Sequence, residues 1–346
     1  MEGRGAARGE VGLAAVNLST PGLILCQFSD SPTYPRTLTK LLALNPCEVI
    51  FPSTSTSAFM SASTGVKLYD DIITNLSGAR VLPVMRSYFN EKKGLLAIRQ
   101  VMVAEISSVE LQFHNKYYCL AAANALLRYL EYTHNHGFNR KSLKVDYQVA
   151  EQATVIDPAT AEHIELMCSL GQRKSKLSLF GVLNHCSTPG GVRLLRCGLF
   201  QPPVDQALIV ARQEAVAELG ASHHLYADLR AMVARFPPLD SIMSLCIKRP
   251  ESHISLGQVD AKIDQMVGLR QVFLLLPSLC RLLQEARDSA LLKAQAATLA
   301  RHLGTSGLLL EMLNLVIREE ATVGRSTNSN MKFSRAMAVK PDVNGL

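Results

Sequence analysis

The sequence predicts an α/β domain followed by an all-helical domain, and three observations support this prediction. The chain has 346 residues, which is enough for two domains of ordinary size. From Gly9 to about Asn90, short apolar runs typical of strands alternate with segments of helical pattern. After Asp157 nearly every segment is helical in pattern, and hydrophobic residues make up 48% of the chain. We place the α/β domain at residues 1–104 and the helical domain at residues 105–346.

The first two apolar runs predict a β-hairpin. "VGLAAVNL" (11–18) and "GLILCQF" (22–28) are separated by Ser-Thr-Pro-Gly, a composition typical of tight turns. The alternation then continues as helix, strand, helix and strand, at 37–46, 47–52, 64–76 and 79–85. The Ser/Thr-rich segment 53–64 is predicted to be a loop.

A change of periodicity near Glu105 predicts the domain boundary. Residues 106–135 form one long amphipathic helix candidate, and a short extended segment follows at 143–149. The longest helical tract is 259–303, which Pro277 should kink or split.

The segment "LFGVLNHCSTPGGVRLLRCGLFQPPVD" (179–205) predicts three helices joined by two short breaks. Thr188 is a suitable N-cap and Pro189 fits the first helical position. Leu195 and Leu199 lie on one apolar stripe and are predicted to be buried. Pro202 and Pro203 end this helix, and Asp205 can cap the next one.

That next helix, 208–219, should bury one face made of Leu208, Ala211, Ala215 and Leu219. Gly190 and Gly191 at the first break are expected to allow close backbone approach. A phosphate-binding loop is disfavoured, because these glycines follow a helix and no Gly-Lys-Ser/Thr occurs in the chain.

The formal net charge of +7 is compatible with an anionic partner such as nucleic acid. Between Gln172 and Val204 there are five basic residues and no acidic one: Arg173, Lys174, Lys176, Arg193 and Arg196. Three interpretations remain open for this run, namely a solvated face, weak contacts with a DNA backbone, or contacts with an acidic partner.

No catalytic, cofactor-binding or metal-binding residue is predicted. The eight cysteines include no Cys-x-x-Cys pair, which favours reduced thiols and gives no indication of zinc. Asp70 and Asp71 are predicted to be solvated on a helix, and the His134/His136 and His223/His224 pairs lack partners at ligand spacing. No apolar window is long enough to predict a membrane span.

Residues 178–205, followed by "ARQEAVAEL", resemble the core-domain signature of MutS proteins, and "ATVIDPATAEHIEL" (153–166) is similar to the entry motif of that domain. "EGRGAARGEVGLAAVNL" and "KYYCLAAANALLRYLEY" are most similar to the meiotic branch of the family. The positions that match the core motif are Asp157, Thr160, Glu165, Leu179, Phe180, Leu183, Asn184, Thr188, Pro189, Gly190, Gly191, Arg193, Leu194, Leu195, Arg196, Pro202 and Arg212.

The resemblance implies an RNase-H-like connector followed by a helical core with long levers. It also implies a nuclear protein that binds double-stranded or branched DNA. Meiotic members of the family pair with the fifth eukaryotic MutS homologue, encircle Holliday junctions and promote crossovers. The resemblance implies no small-molecule substrate and no membrane partner.

The chain departs from the family pattern because it has no counterpart of the clamp, the second lever or the ATPase module. We therefore expect a fragment that is not itself an enzyme, with ATP and Mg bound only by the full-length relative. A nuclease is disfavoured, because "VGLAAVNL" lacks the carboxylate that a first strand would need to hold metal. A helical protein-interaction scaffold with no DNA role remains the alternative.

Overall fold

A computed structural model describes residues 1–3, 5–53, 67–76, 78–103, 107–149, 154–171, 176–249, 255–318 and 338–340. The predicted loop at 53–64 lies, apart from Ser53, outside these residues. The chain forms two compact units. The first comprises Met1–Cys186, Gly190–Val204 and Cys246–Arg249, and the second comprises Ser187–Pro189, Asp205–Leu245 and Pro250–Leu346.

The predicted hairpin is present at the start of the first unit. Strand β1 (Glu10–Val16) pairs antiparallel with β2 (Gly22–Ser29), and β2 pairs parallel with β5 (Lys144–Tyr147). Strands β3 (Glu48–Pro52) and β4 (Arg80–Val84) form a parallel pair. All five strands lie where the sequence predicts them, and the α/β class is confirmed.

The helices of the first unit begin with α1 (Pro35–Leu44), α2 (Lys67–Asn75) and α3 (Glu91–Val101). The sequence analysis did not predict α3, although the Asn90 side chain caps it by accepting a bond from the Lys93 amide at 2.9 Å. The remaining helices of this unit are α4 (Ser107–Phe113), α5 (Tyr117–Thr133), α6 (Pro158–His163), α7 (Leu179–Leu183) and α8 (Pro189–Phe200).

Helices cover both faces of the strands. Leu23 and Leu25 of β2 pack with Ile98 of α3 and with Cys119 and Leu120 of α5. A second buried cluster joins residues of β1, β2 and β3 to α1 and α2, namely Val11, Leu13, Cys26, Phe28, Leu38, Leu41, Val49, Phe51, Leu68 and Ile72. The first unit is thus a layered α/β structure.

The predicted single helix at 106–135 is two helices, α4 and α5. The Gln27 side chain of β2 accepts hydrogen bonds from the amides of Tyr118 at 2.9 Å and Cys119 at 3.2 Å. These are amides of the first turn of α5, which lack partners inside the helix. A residue distant in sequence therefore marks where α5 begins.

The predicted domain boundary at 104/105 requires correction. Helix α5 is part of the first unit, because it packs directly on β1 and β2. The separation into two halves at a change of periodicity was wrong in position, since an amphipathic helix can cover a sheet as well as another helix.

The second unit contains α9 (Gln206–Ala221), α10 (His223–Ala234), α12 (Leu256–Gln284) and α13 (Ala290–Val316). Helix α11 (Leu239–Ile247) ends with two residues of the first unit. On α9, Ala215 is buried, whereas Leu208, Ala211 and Leu219 are only half-buried, so the predicted buried face is confirmed in part. Val267 of α12 and Leu313 of α13 share a buried cluster.

Pro277 does not split the long helical tract, since α12 continues through it to Gln284. The chain turns at 285–289 instead, where the Glu218 carboxylate of α9 accepts amide hydrogen bonds from Arg287, Asp288 at 3.1 Å and Ser289 at 2.7 Å. The Ser289 side chain then caps α13. The turn is therefore set by a carboxylate about seventy residues away along the chain.

We expect this turn to open in acid. The amide of Ser289, followed by those of Asp288 and Arg287, holds the pKa of the Glu218 carboxyl below its usual value. A carboxyl of lowered pKa stabilises the fold above its unfolded-state pKa, and that contribution is lost as the pH falls through the lowered value. Protection of amides 287–289, corrected for the slower intrinsic exchange in acid, should fall several-fold on this acidification, and already at neutral pH in Glu218→Gln. Glu214→Gln, exposed on the same helix, is the control. If amides 287–289 kept their protection in Glu218→Gln, the Glu218 carboxylate would not be what holds this turn.

One helix among the described residues, over Gly257–Gln284, is long and apolar enough to cross a membrane. Length and composition alone are weak evidence for a span, because helices in protein cores share them. A third of its most apolar window is buried inside the structure.

Candidate functional site

The core motif begins at the capped helix α6. Asp157 is its N-cap, and its carboxylate accepts hydrogen bonds from the Thr160 amide at 3.0 Å and the Thr160 hydroxyl at 2.5 Å. These bonds lower the pKa of the Asp157 carboxyl below its usual value. Asp157 and Thr160 therefore serve to begin the helix.

The turn after α6 is organised by Glu165. Its backbone has φ 52°, in the left-handed region, and its side chain accepts bonds from Ser169 Oγ at 3.1 Å and the Leu170 amide at 2.6 Å. Its carbonyl oxygen accepts a bond from the Leu179 amide at 3.1 Å. The Glu165 side chain thus holds the turn at 169–170, and its carbonyl oxygen connects the turn to α7.

Two residues that the sequence analysis missed hold α7 in place. Ser178 is buried, and its hydroxyl accepts a bond from the Gly181 amide at 3.1 Å. A Cβ on Gly181 would lie 2.7 Å from the Lys176 carbonyl oxygen, which leaves no room for a larger residue. A serine directly before a short apolar run is the local signal for Ser178.

The predicted arrangement of three helices and two breaks is confirmed. Helix α8 begins at Pro189 and ends at Phe200, just before the Pro202-Pro203 break. Asp205 caps α9 by accepting a bond from the Ala207 amide at 2.9 Å. The prediction that backbone approaches Gly190 closely is wrong. A Cβ at this position would have the Arg193 guanidinium as its one neighbour among the described residues, at 3.8 Å.

The apolar residues of the motif are less buried than predicted. Leu195 and Leu199 are half-buried, and Leu199 packs beside the buried cluster formed by Ala43, Ala161, Leu166 and Phe200. Leu194 is 67% exposed. Half-buried or exposed positions are also found for other members of the motif, namely Leu179, Phe180, Leu183, Asn184, Thr188, Gly191, Pro202 and Arg212.

Helix α1 contacts the core motif through several side chains and backbone atoms. The Thr39 hydroxyl, fully buried, donates to the Ile156 carbonyl at 2.5 Å. Lys40 bonds the Gln201 side chain at 3.1 Å and also that of Gln148. Cys197 Sγ lies 3.4 Å from the Ala43 carbonyl oxygen, and burial raises the pKa of this thiol. The motif therefore belongs to the same unit as the strands.

The five basic residues predicted between Gln172 and Val204 do not all face solvent. Arg196 Nε donates to the Leu42 carbonyl at 3.0 Å, and the guanidinium lies over the Phe200 ring, 5.3 Å from its centroid. Burial lowers the pKa of this guanidinium. The prediction that Arg196 contacts a DNA backbone therefore requires correction. Lys176 is exposed and Arg193 half-buried, while Arg173 and Lys174 lie outside the described residues.

Removing the Arg196 side chain should reduce stability rather than DNA affinity. Arg196→Ala loses a hydrogen bond from a charged donor and a cation–π contact, which together contribute about 2 kcal/mol to the free energy of unfolding. Chemical denaturation of the purified chain measures this loss. Lys176→Ala, at an exposed position of the same unit, is the control and should change stability by less than about 0.5 kcal/mol. Equal stability of the two variants would contradict the buried role of Arg196.

The residues considered for metal or nucleophilic chemistry have structural partners or are solvated. Among the residues that the structure describes, no three His, Cys, Asp or Glu side chains come together. His134 lies 3.0 Å from Glu48, and His224 lies 2.9 Å from Asp228. Burial raises the pKa of the Cys26 thiol to about 11 and that of Cys119 to about 12, so both are unreactive core thiols.

Comparison with known proteins places both halves of the chain in one family. The family model for MutS domain II matches residues 4–144, and that for MutS domain III matches residues 159–333. The domain II match ends within β5, in agreement with the packing of α5 and β5 beside β2.

Among curated proteins, the chain is 34% identical to MutS protein homolog 4 of Homo sapiens, over 99% of this chain and 36% of that protein. It is 35% identical to MutS protein homolog 4 of Mus musculus, over 99% of this chain and 35% of that protein. It is 28% identical to DNA mismatch repair protein MSH4 of Arabidopsis thaliana, over 80% of this chain and 37% of that protein. The chain thus spans about a third of the length of these relatives. On these matches the chain belongs to the MutS family, in the branch that contains MutS protein homolog 4.

Proposed function

We propose that this chain is the connector and core part of a MutS-type DNA-binding clamp that acts in meiotic recombination. In this proposal the protein is nuclear, pairs with the fifth eukaryotic MutS homologue, binds Holliday junctions and promotes crossovers. The observation that carries the proposal is the match to MutS protein homolog 4 over 99% of the chain.

The geometry is suited to transmitting motion in such a clamp. In the first unit, α1 joins the strands to the core motif through the buried Thr39 and through Arg196. In the second unit, α12 and α13 have 29 and 27 residues, which makes each a rod about 40 Å long. Rods of this length are suitable levers between distant parts of a clamp.

No catalytic step is assigned to these residues. In this proposal ATP and Mg are bound by parts of the longer protein other than the 346 residues described here, and the chain contributes positioning and DNA contact. We further propose that the connector has the RNase-H-like fold without nuclease chemistry. Strand β1 does carry one carboxylate, Glu10 at its first position, but among the described residues no three His, Cys, Asp or Glu side chains come together to hold a metal.

A helical interaction scaffold without a DNA role is the second candidate. The exposed leucines of the core motif favour it, since Leu179, Leu183 and Leu194 present apolar surface for another protein. Both candidates predict a protein partner, so co-purification alone does not distinguish them.

Disrupting the gene in its own organism tests the proposal. We expect fewer meiotic crossovers, while the mutation rate in dividing cells stays unchanged, and we expect the fifth homologue to co-purify with the tagged protein. Normal crossover numbers together with retained protein partners would favour the scaffold, and a raised mutation rate would indicate mismatch repair instead.

A further inference from the structure

Five exposed basic residues from two distant segments form a cluster in the first unit. Arg140, Lys141 and Lys144 lie before and at the start of β5, and Lys248 and Arg249 follow α11. We call these five residues the basic cluster. None of them belongs to the basic run between Gln172 and Val204.

Backbone pairing brings the two segments together. Phe138 forms an antiparallel bridge with Lys248, and the Arg249 amide donates to the Gly137 carbonyl at 2.9 Å. The Asn139 amide bonds the Ile247 carbonyl at 2.9 Å, and its side chain donates to the carbonyls of Cys246 and Lys248. Arg140 therefore lies close to Lys248 and Arg249, and Lys141 and Lys144 follow it along the first segment.

Buried residues of both segments hold the backbone of the basic cluster in place. Phe138, Leu143 and Ile247, which belong to or flank the two charged segments, are all buried in the same core as Leu23 and Leu25. The backbone of each segment is thus held in place while the long basic side chains point to solvent. A surface of this kind is preorganised for binding.

The positive charges are not compensated by carboxylates within the part of the chain that the structure describes. No side chain of the cluster forms an ion pair or hydrogen bond there. The adjacent acid along β5 is Asp146, which accepts a bond from Gln148 at 2.6 Å. Glu251, two positions after Arg249, lies outside the described residues. Five basic side chains beside the single carboxylate of Asp146 leave an excess of positive charge, which attracts an anionic partner.

The surface has the chemistry of a phosphate-binding face rather than of a protein interface. Protein interfaces have an apolar centre, whereas neither segment 137–144 nor segment 246–249 exposes a large apolar side chain. Lysine and arginine on an open surface contact the phosphates of duplex DNA without reading bases. We infer that the basic cluster binds the DNA backbone. This inference rests on the proposed function, and it names a DNA contact in the α/β unit.

Charge neutralisation with a matched control tests the inference. The cluster variant carries Arg140→Gln, Lys141→Gln, Lys144→Gln and Lys248→Gln. The control carries Arg36→Gln, Lys67→Gln, Lys92→Gln and Lys93→Gln, which are one arginine and three lysines at exposed positions of the same unit. Binding of the 346-residue chain to a mixed-sequence DNA duplex is measured from about 50 to about 200 mM salt.

The slope of log K against log salt is negative. We expect its magnitude to decrease by about 3 to 4 in the cluster variant and to change little in the control, because each lost phosphate contact removes about 0.9. If the fourfold variant does not fold, the Lys144→Gln/Lys248→Gln pair should decrease the magnitude by about 2.

Three results would overturn the inference: wild-type chain that does not bind duplex DNA, equal losses in both variants, or an unchanged slope in the cluster variant. An unchanged slope would leave an acidic protein as the partner of the cluster. None of these results bears on crossover numbers after gene disruption, so failure of the inference is distinguishable from failure of the proposed function.

Discussion

Replacing Gly12 by alanine should severely destabilise the first unit. A Cβ at Gly12 would lie 2.1 Å from the backbone carbon of Tyr118 and 2.3 Å from the amide nitrogen of Cys119. Both are backbone atoms at the start of α5, so no rotation of a side chain can relieve the overlap. The same turn is capped by Gln27, which pairs with Gly12 across β1 and β2. A displaced helix therefore loses its cap as well as its contact with the strand.

We expect Gly12→Ala to lower the free energy of unfolding of this unit by about 3 kcal/mol, the upper part of the range for overpacked cores. Because the chain has two units, hydrogen exchange of the β1 and α5 amides is a better measure than a single melting temperature. Gly22→Ala is the matched control in the same sheet, since a Cβ there has no neighbour within 4 Å. Similar protection in both variants would show that α5 does not approach β1 so closely.

Truncating Leu120 should destabilise the strands and not only the helix that carries it. Leu120 is buried at 2% exposure in the core that contains Leu23 and Leu25 of β2. Leu120→Ala leaves a cavity in this core and should cost about 2 to 5 kcal/mol. Exchange of the β2 amides should rise together with that of α5.

Leu111→Ala provides the comparison, because Leu111 lies on the adjacent helix α4 and is 74% exposed. We expect its effect to be within about 0.5 kcal/mol. If Leu120→Ala loosened α5 while β2 kept its protection, the original boundary at 104/105 would be restored, with α5 in the helical domain.

These two variants probe a general property of the first unit, which is close contact between backbones. At Gly94 of α3, a Cβ would lie 2.1 Å from the Leu120 carbonyl oxygen. Helix α5 is thus approached by β1 at its first turn and by α3 at Leu120, each time through a glycine. Such contacts leave a layered unit little freedom to shift without changing its neighbours.

The sequence by itself determined the local elements of this protein. Short apolar runs on either side of Ser-Thr-Pro-Gly identified the strands of the hairpin. Thr188-Pro189, Pro202-Pro203 and Asp205 identified the ends of α8 and the start of α9. These features depend on interactions within a few residues, which a linear pattern records. The core motif also identified the family, because its spacing extends over many residues.

Only the tertiary structure decided which elements share a core and which charges remain free. Amphipathicity shows that α5 has a buried face, but the choice of β1 as its partner depends on glycine at position 12 and on the cap from Gln27. Arg196 has the spacing of a surface residue, yet its guanidinium reaches a carbonyl 154 positions earlier. The segments that carry Arg140 and Lys248 meet through the bridge between Phe138 and Lys248, which lie more than a hundred positions apart. Contacts at such separations arise only when the chain is folded, because a linear pattern records periodicity and not proximity.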